Sequence, residues 1–392
     1  MQAIILAAGN GTRFVPLSLT KPKPLFSVFG ISILEHNLNQ LVGIADEVFL
    51  IVGYRQEQIR KVIGDNYKKI KINYIEQKEQ NGTGAAAKIT FDYLDDKFLL
   101  LNGDDYYFQK DIKKVINNFP CVLVREHDNQ SSFGVISIEG SKVKGLEEKP
   151  QNPSTNLVNA ALYYLPKTIF KYEIEKSSRG EYEFTDYLKK FIEENNLNFL
   201  KAEKWFPASY PWDAFRAMSS IFENLEKKIK GKVEKQATLK NEVIVGEGTI
   251  IKNGAYIEGP IYIGKNCIIG PNCYLRECSS IGDNCHIGQS VEIKNSIIGD
   301  NVNIAHLSYV GDSIIGDNCN LGAGTIIANL RHDDETIKTI INDKAIDTER
   351  KKFGAILGDG VKTGINTMIF PGKKIWPQKT TSPGEKIEKD IQ

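Results

Sequence analysis

No stretch of this chain approaches the run of about 18 apolar residues that a membrane-crossing helix needs, so no membrane span and no membrane partner are expected. Charge of one sign is also lacking. The 50 lysines and arginines stand against 49 aspartates and glutamates, which removes the general electrostatic case for a nucleic-acid partner. The N-terminus has no basic run, and Ala3-Ile4-Ile5-Leu6 passes directly into a glycine-rich turn, so it reads as a first strand and not as a secretory leader. Nor do the 6 cysteines and 5 histidines form a compact ligand set for a metal. Cys267, Cys273, Cys285 and Cys319 each lie four places after an aliphatic position of the repeat described next. They read as small core-filling thiols, a usage that fits a reducing, cytoplasmic compartment.

What the second half does contain is a six-residue beat. Branched aliphatics recur at Val245, Ile251, Ile257, Ile263, Ile269, Leu275, Ile281, Ile287 and Ile293, and glycines follow many of them. Neither a helix nor an isolated strand has that period. It is a solenoid signature, in which each short rung must stack on the next to bury its apolar face. If each hexad supplies one side, eighteen residues make one turn of a three-sided prism of short parallel strands. Its flat outer faces need covering, and a homotrimer is an economical way to do so. Beats five apart at Ile293/Ile298 and Val310/Ile315 shorten two hexads, and the pattern breaks between Arg331 and Phe353. It resumes at Leu357, Thr363, Ile369 and Ile375.

The first two hundred residues read differently. Apolar strands are expected at Ala3–Ala7, Glu47–Val52, Lys71–Tyr74, Phe98–Leu101, Cys121–Val124, Gly134–Ile138 and Leu157–Tyr164, with helical segments between several of them. Ala214 to Lys230 has helical periodicity and ends in a basic run. The chain therefore divides, as an expectation, into an α/β Rossmann-like domain over 1–213, a helical connector over 214–232 and a left-handed parallel β-helix over 233–392.

Gly9 and Gly11 lie just beyond the first strand, where backbone without side chains can wrap phosphates, and Arg13 and Lys23 follow as cations for a triphosphate. The whole string from Leu6 to Leu25, LAAGNGTRFVPLSLTKPKPL, resembles the signature of the sugar-1-phosphate nucleotidylyltransferases. By that resemblance Leu6, Ala8, Gly9, Gly11, Thr12, Gln77, Gly82 and Thr83 contact the nucleotide, and Asp104 holds Mg²⁺. Gly134, Glu148, Lys149 and Asn159 match sugar-side positions, while Arg13 and Lys23 stabilise the transferring phosphate. The second metal ligand usual in the family falls on Pro207, which has no coordinating side chain. Asp213 nearby matches a helix-start residue.

His306 lies two places past a beat, which points it off the prism. The segment from Asn303 to Ile327, with Asn329 beyond it, resembles the acetyltransferase half of the bifunctional family that acetylates glucosamine-1-phosphate and then uridylylates it. The resemblance implies His306 as the base that takes the amine proton while acetyl-CoA is attacked. Arg276, Glu292, Lys294, Tyr309, Asn320 and Asn329 match positions around the sugar phosphate. UTP is the expected nucleotide with dTTP as the alternative, and galactosamine-1-phosphate is a second candidate acceptor. The interruption is longer and more charged than the bacterial loop, whose lysine falls on Glu335 or is replaced in space by Lys338. Lys351, Lys352, Lys373, Lys374 and Lys379 are candidate contacts for the CoA phosphates, with plain solvated surface as the alternative. Two other readings stay open: a nucleotidylyltransferase with a purely structural β-helix, and a non-catalytic nucleotide-sugar-binding scaffold.

Overall fold

The computed structural model describes residues 1–392, which divide into two compact units. The first comprises Met1–Asn10, Pro22–Leu25 and Ile33–Pro207, and the second Gly11–Lys21, Phe26–Ser32 and Ala208–Gln392.

The first unit is built on a ten-stranded mixed sheet. The strands Lys97–Asn102, Gln2–Ala7, Glu47–Val52 and Ile70–Glu76 run parallel side by side, and Leu157–Pro166 joins Lys97–Asn102 antiparallel. Their near-continuous aliphatic sequences follow from burial on both faces: Ile4, Ile5, Val48, Leu50, Leu99 and Leu101 are all fully buried. The predicted strands are all present, and the turn after Gln2–Ala7 and the end of Lys97–Asn102 lie at adjacent strand ends. In α/β sheets ligands bind at such carboxyl ends.

The helix Ile33–Leu41 pins the chain just after Asp104. Asn37 donates to the Asp105 carbonyl (2.7 Å) and accepts from the Tyr107 amide (3.2 Å), while His36 Nε2 donates to the Tyr107 carbonyl at 2.7 Å. Burial drives the His36 pKa down to about 4, against the smaller opposing effect of that carbonyl. A histidine with a depressed folded pKa binds its proton more readily in the unfolded chain. Its contribution to stability is therefore present above pH 6.5 and lost as the pH falls through about 4. The loss is expected to reach about 3 kcal/mol. Urea midpoints measured from pH 7 to pH 4 should show this acid slope, and His36→Gln, which keeps a donor for Tyr107, should flatten it. An unchanged slope in the variant would assign it to other groups.

The second unit is a left-handed β-helix of three parallel sheets. The first face runs from Lys232–Val233 to Lys362–Thr363, the second from Thr238–Lys240 to Lys386–Ile387, and the third from Val243–Val245 to Lys374–Ile375. Registers such as Ile250↔Ile268↔His286 give the 18-residue coil. From Ile281↔Ile298 onward the coil loses one residue, which reflects the two short hexads. The beats line one apolar core together with Cys267, Cys273, Cys285 and Cys319, all free thiols. Each short hexad turns the corner from the second face to the third. There Asn295 and Asp312 have φ of 43° and 49°, and a buried serine ladder fastens the tight turn. The Ser296 amide donates to Ser279 Oγ, the Ser313 amide to Ser296 Oγ, and the Ala355 amide to Ser313 Oγ, at 3.1–3.2 Å.

Two features differ from the expectation. The helix begun at Ala214 ends at Glu223, because the basic stretch beyond it already pairs with the solenoid: the Lys230 amide donates to the Val245 carbonyl and the Val245 amide to the Lys228 carbonyl. The interruption is also ordered, with a hairpin of Lys338–Ile341 and Lys344–Asp347 that buries Ile337, Thr339 and Ile341.

The three faces are unequal. Outward side chains of the third face, including Ser280, Ile297, Ile314, Ile356 and Lys374, are buried; Phe29 bonds Ser280, and the hairpin and C-terminal segment hold Lys374. Phe29 packs on Tyr262 and Phe222, and Trp212 packs on Phe353. The first and second faces remain open.

Candidate active sites

In the first unit, Lys23 is 7% exposed and sits in a tight turn between Pro22 and Pro24. Its ammonium donates to Asp104 Oδ2 at 2.6 Å. Asp104 is itself partly exposed, so the pair faces open space at the strand ends. Pro207 pairs with Asp105 and brings no donor atom, and no cluster of three metal-binding side chains exists in the chain. One carboxylate, completed by substrate phosphates and water, is a donor set that suits Mg²⁺. The residues present therefore fit that ion through Asp104.

Gly9 has no atom within 4 Å of where a Cβ would stand, leaving clear approach to the backbone of the turn. Gln77 donates to the Gly82 carbonyl at 3.1 Å, and Thr83 Oγ1 accepts from the Phe184 amide at 3.0 Å. Gly82 has φ 110°, and a Cβ there would collide with the Tyr182 carbonyl at 2.3 Å, so this turn requires glycine. Gln80, which sequence reasoning missed, ties the region together by donating to the Ala8 carbonyl and to Asn10 Oδ1, both at 2.9 Å.

The residues expected on the sugar side also assemble. A Cβ on Gly134 would lie 3.1 Å from Glu148 Oε2 and 3.5 Å from both the Asn159 Cβ and the Thr185 Cγ2. Asn159 lies where the strand Leu157–Pro166 shifts register, with Ala161 at φ 51° accommodating the irregularity. Its amide donates to the Tyr163 hydroxyl at 2.6 Å and its carbonyl accepts from the Ala161 amide at 2.9 Å, which fixes the side chain. Arg179, also missed, stands with Lys149 at 3.7 Å from Glu148 and bonds the buried Glu183. Nothing in the spacing of the motifs marks Arg179, because it reaches Glu148 only through tertiary folding.

Arg13 belongs to the second unit, where its guanidinium stands 5.7 Å from the centroid of the Tyr210 ring. Tyr210 stacks on Trp212 at 4.7 Å, and its amide donates to Asp213 Oδ2 at 2.7 Å, which makes Asp213 a cap for the following turn.

On the open second face, five of the expected acetyl-transfer residues form one polar group. Arg276 Nε donates to Glu292 Oε1 at 2.7 Å, and Glu292 is the register neighbour of Tyr309. Lys294, 4% exposed, reaches Asp312 Oδ2 at 3.1 Å and Glu277 Oε2 at 3.3 Å. Asn329 donates to Asp312 Oδ2 at 2.6 Å and to the Tyr309 hydroxyl at 3.2 Å. Asp312 is the buried hub, with Asn295 on its other oxygen at 2.6 Å and Arg350 of the interruption at 3.8 Å. Burial lowers the Lys294 pKa and the Asp312 and Glu277 carboxylates more than offset it, leaving the ammonium above its ordinary value.

His306 and Asn320 stand apart from that group. His306 ends the strand Asn303–His306 at the corner between the first and second faces, is exposed, and makes no side-chain hydrogen bond within the chain. The next residue, Leu307, has φ 50° and is 64% exposed, an unusual conformation for a branched side chain. Asn320 lies on the first face in the column of His286 and Asn303.

Comparison with known proteins decides the family. Residues 2–213 match the nucleotidyl transferase family and residues 257–390 the GMPPB C-terminal domain. The chain is 41% identical over 397 residues to the bifunctional protein GlmU of Methanocaldococcus jannaschii, covering 100% of this chain and 96% of that protein. This chain belongs to the bifunctional GlmU family. A bifunctional sugar-1-phosphate nucleotidylyltransferase/acetyltransferase of Sulfurisphaera tokodaii is 36% identical over 401 residues, covering 100% of this chain and 98% of that one. A crystal structure of a putative glucose-1-phosphate thymidylyltransferase from Bacillus anthracis matches with a TM-score of 0.53 at 22% identity. It covers 58% of this chain and 98% of that chain and supports the fold alone.

Within this GlmU-family chain, the candidate CoA lysines need one correction. Lys374 is completely buried, bonded to Asp390 Oδ2 at 2.8 Å and to Thr339 Oγ1 at 3.2 Å, so it fastens the hairpin and the C-terminal segment and is closed to a ligand. Lys351, Lys352 and Lys379 are exposed and Lys373 half-buried. In the interruption Lys338 points outward from the hairpin, and Arg350 is the cation that approaches Asp312.

Proposed function

We propose that this chain N-acetylates glucosamine-1-phosphate with acetyl-CoA and transfers the uridylyl group of UTP to N-acetylglucosamine-1-phosphate, making UDP-N-acetylglucosamine. The observation that carries this reading is the match over the whole chain to bifunctional relatives. Both candidate polar groups, Lys23–Asp104 and the Asp312 hub, stand within the matched chain.

In acetyl transfer the amine nitrogen attacks the thioester carbonyl, gives its proton to His306, and the C–S bond breaks to release CoA. Arg276 and Lys294 would sit at the sugar-phosphate end, with Glu292 and Tyr309 towards the ring hydroxyls. Asp312 positions Lys294 and Asn329. Asn320 on the adjoining face is the remaining polar contact.

In nucleotidyl transfer a phosphate oxygen of the sugar attacks the α-phosphorus, a new P–O bond forms, and the α–β bridging bond breaks to release pyrophosphate. Asp104 would hold Mg²⁺, which would supply charge neutralisation for the phosphates. Lys23 and Arg13 neutralise the charge that builds on the transferring group. The backbone from Leu6 to Thr12 cradles the phosphates, while Gln77, Gly82 and Thr83 take the base. Gly134 leaves room for the sugar ring, with Glu148, Lys149 and Asn159 around it.

The working form we assign is a cytoplasmic homotrimer. Leu307 at the corner between the open faces and Ile326 and Met368 on the second face are 64%, 42% and 37% exposed, apolar surface that neighbouring copies would cover. Light scattering should give three times 43.9 kDa.

The function is tested by thiol release from acetyl-CoA with glucosamine-1-phosphate or galactosamine-1-phosphate, and by pyrophosphate release from UTP or dTTP with the acetylated sugar phosphate. Turnover in both assays is expected. Pyrophosphate release alone would leave a nucleotidylyltransferase with a structural β-helix, and turnover in neither would leave a binding scaffold.

A further inference from the structure

Four successive coils of the β-helix carry the same tripeptide at the corner after the third face: Ile281-Gly282-Asp283, Ile298-Gly299-Asp300, Ile315-Gly316-Asp317 and Leu357-Gly358-Asp359, with leucine replacing isoleucine in the last. Each aspartate uses Oδ1 as a staple. The Lys265 amide donates to Asp283, the Asp283 amide to Asp300, the Asp300 amide to Asp317 and the Asp317 amide to Asp359, at 2.7–3.0 Å. The glycines make this possible, since a Cβ on Gly316 would lie 2.4 Å from Asp359 Oδ1.

Stapling occupies one oxygen of each carboxylate, and on the last two coils the other oxygen holds the N-terminal signature segment. Lys21 Nζ donates to Asp317 Oδ2 at 2.5 Å, and Thr20 Oγ1 donates to Asp359 Oδ2 at 2.7 Å. Burial opposes the Lys21 charge, but Asp317 with Asp359 and Asp300 outweighs it and raises the ammonium pKa. A second anchor lies downstream. The Phe29 amide donates to Ser280 Oγ at 2.7 Å, and Phe29 is buried against Tyr262 at φ 56°. Gly30 is held so close that a Cβ would meet the Tyr262 hydroxyl at 2.3 Å.

Between these anchors the chain has only Pro22 to Val28, and Lys23 lies two residues from Lys21 across Pro22. Proline fixes φ and shortens the reach over which the chain can relax. Arg13 is on the same anchored segment, eight residues before Lys21.

We propose that the third face of the β-helix positions the phosphate-handling segment for nucleotidyl transfer, with Lys21, Thr20, Asp317 and Asp359 as positioning residues. The β-helix then serves the first reaction as well as the second. The inference rests on the nucleotidyl-transfer reading above, and none of these four residues belongs to the acetyl-transfer group.

Full-length Lys21→Met, Asp317→Asn and Lys21→Arg proteins test it. Lys21→Met is expected to lower kcat for pyrophosphate release about tenfold or more, because small misplacement of charged groups is costly in orientation-dependent catalysis. Its KM for UTP should change less than kcat. Asp317→Asn should fall in the same direction, Lys21→Arg should recover most of the activity, and thiol release from acetyl-CoA should stay within about twofold in all three. Amide exchange over residues 11–21 should quicken in Lys21→Met. Full nucleotidyl activity in Lys21→Met, or an equal fall of both activities with the melting temperature, would overturn the proposal. If the parent protein released no pyrophosphate, the function reading would fail. Unchanged exchange over residues 11–21 in Lys21→Met would then independently sink the anchor.

Discussion

His306→Ala is expected to lower acetyl transfer by about 10²–10⁴-fold while pyrophosphate release from UTP stays within about twofold, the range that loss of a general base produces. An amino sugar is protonated in neutral water, and its nitrogen attacks a thioester only after losing that proton. Histidine is the side chain whose charge ordinarily changes near neutral pH. His306 is exposed at the corner between the two open faces, and its ring has no bond to another part of the chain. The substitution therefore leaves no buried group without a partner, and the melting temperature should not move. Thiol release with glucosamine-1-phosphate measures the outcome. Retention of more than about a tenth of parent activity would remove His306 from the base role, since general-base loss costs more.

The hexad beat was readable because its physical cause is local and periodic. Each aliphatic position must face the same core, and the buried cluster from Val243 to Ile387 contains the predicted aliphatic beats. The parallel strands were readable for a related reason, as burial on both faces leaves aliphatic runs such as Ile4-Ile5 and Leu99-Leu100-Leu101. What escaped depends on pairings between distant residues. Asp312 follows a glycine as the corner aspartates do, yet it is buried and holds Lys294 and Asn329. Arg350 lies in an interruption without periodicity and approaches Asp312 across 38 positions of sequence. Likewise, the helical pattern from Ala214 to Lys230 is amphipathic throughout, and only the partner strand at Val245 explains why the helix stops at Glu223. The signature string was recognisable as a motif. Its attachment to the β-helix through Thr20 and Lys21 was not, because the aspartates that hold it are hundreds of residues away and look like corner residues.

Lys23→Met should have the largest effect on the other reaction, lowering pyrophosphate release by about 10²–10³-fold with acetyl transfer unchanged, comparable to removal of one preorganised electrostatic group. Lys23 is almost fully buried, and its ammonium is fixed on Asp104 with no freedom to reorganise as charge moves. A group of that kind acts most strongly where charge builds in the transition state, so kcat should fall more than KM for UTP rises. Removing the cation also leaves the Asp104 carboxylate without its 2.6 Å partner. A carboxylate relieved of a competing ammonium attracts a divalent ion more strongly, so half-maximal activity of the variant should occur at lower Mg²⁺ than in the parent. This opposite movement separates Lys23 from Lys21: loss of the outer anchor misplaces the segment but keeps the Lys23 ammonium as a competing cation near Asp104, so the Mg²⁺ midpoint should not move to lower concentration. Magnesium titrations of both variants by pyrophosphate release make the comparison. A Lys23→Met enzyme with near-parent kcat, or one whose acetyl transfer fell in step, would show that Lys23 supports the fold and not the phosphate transfer.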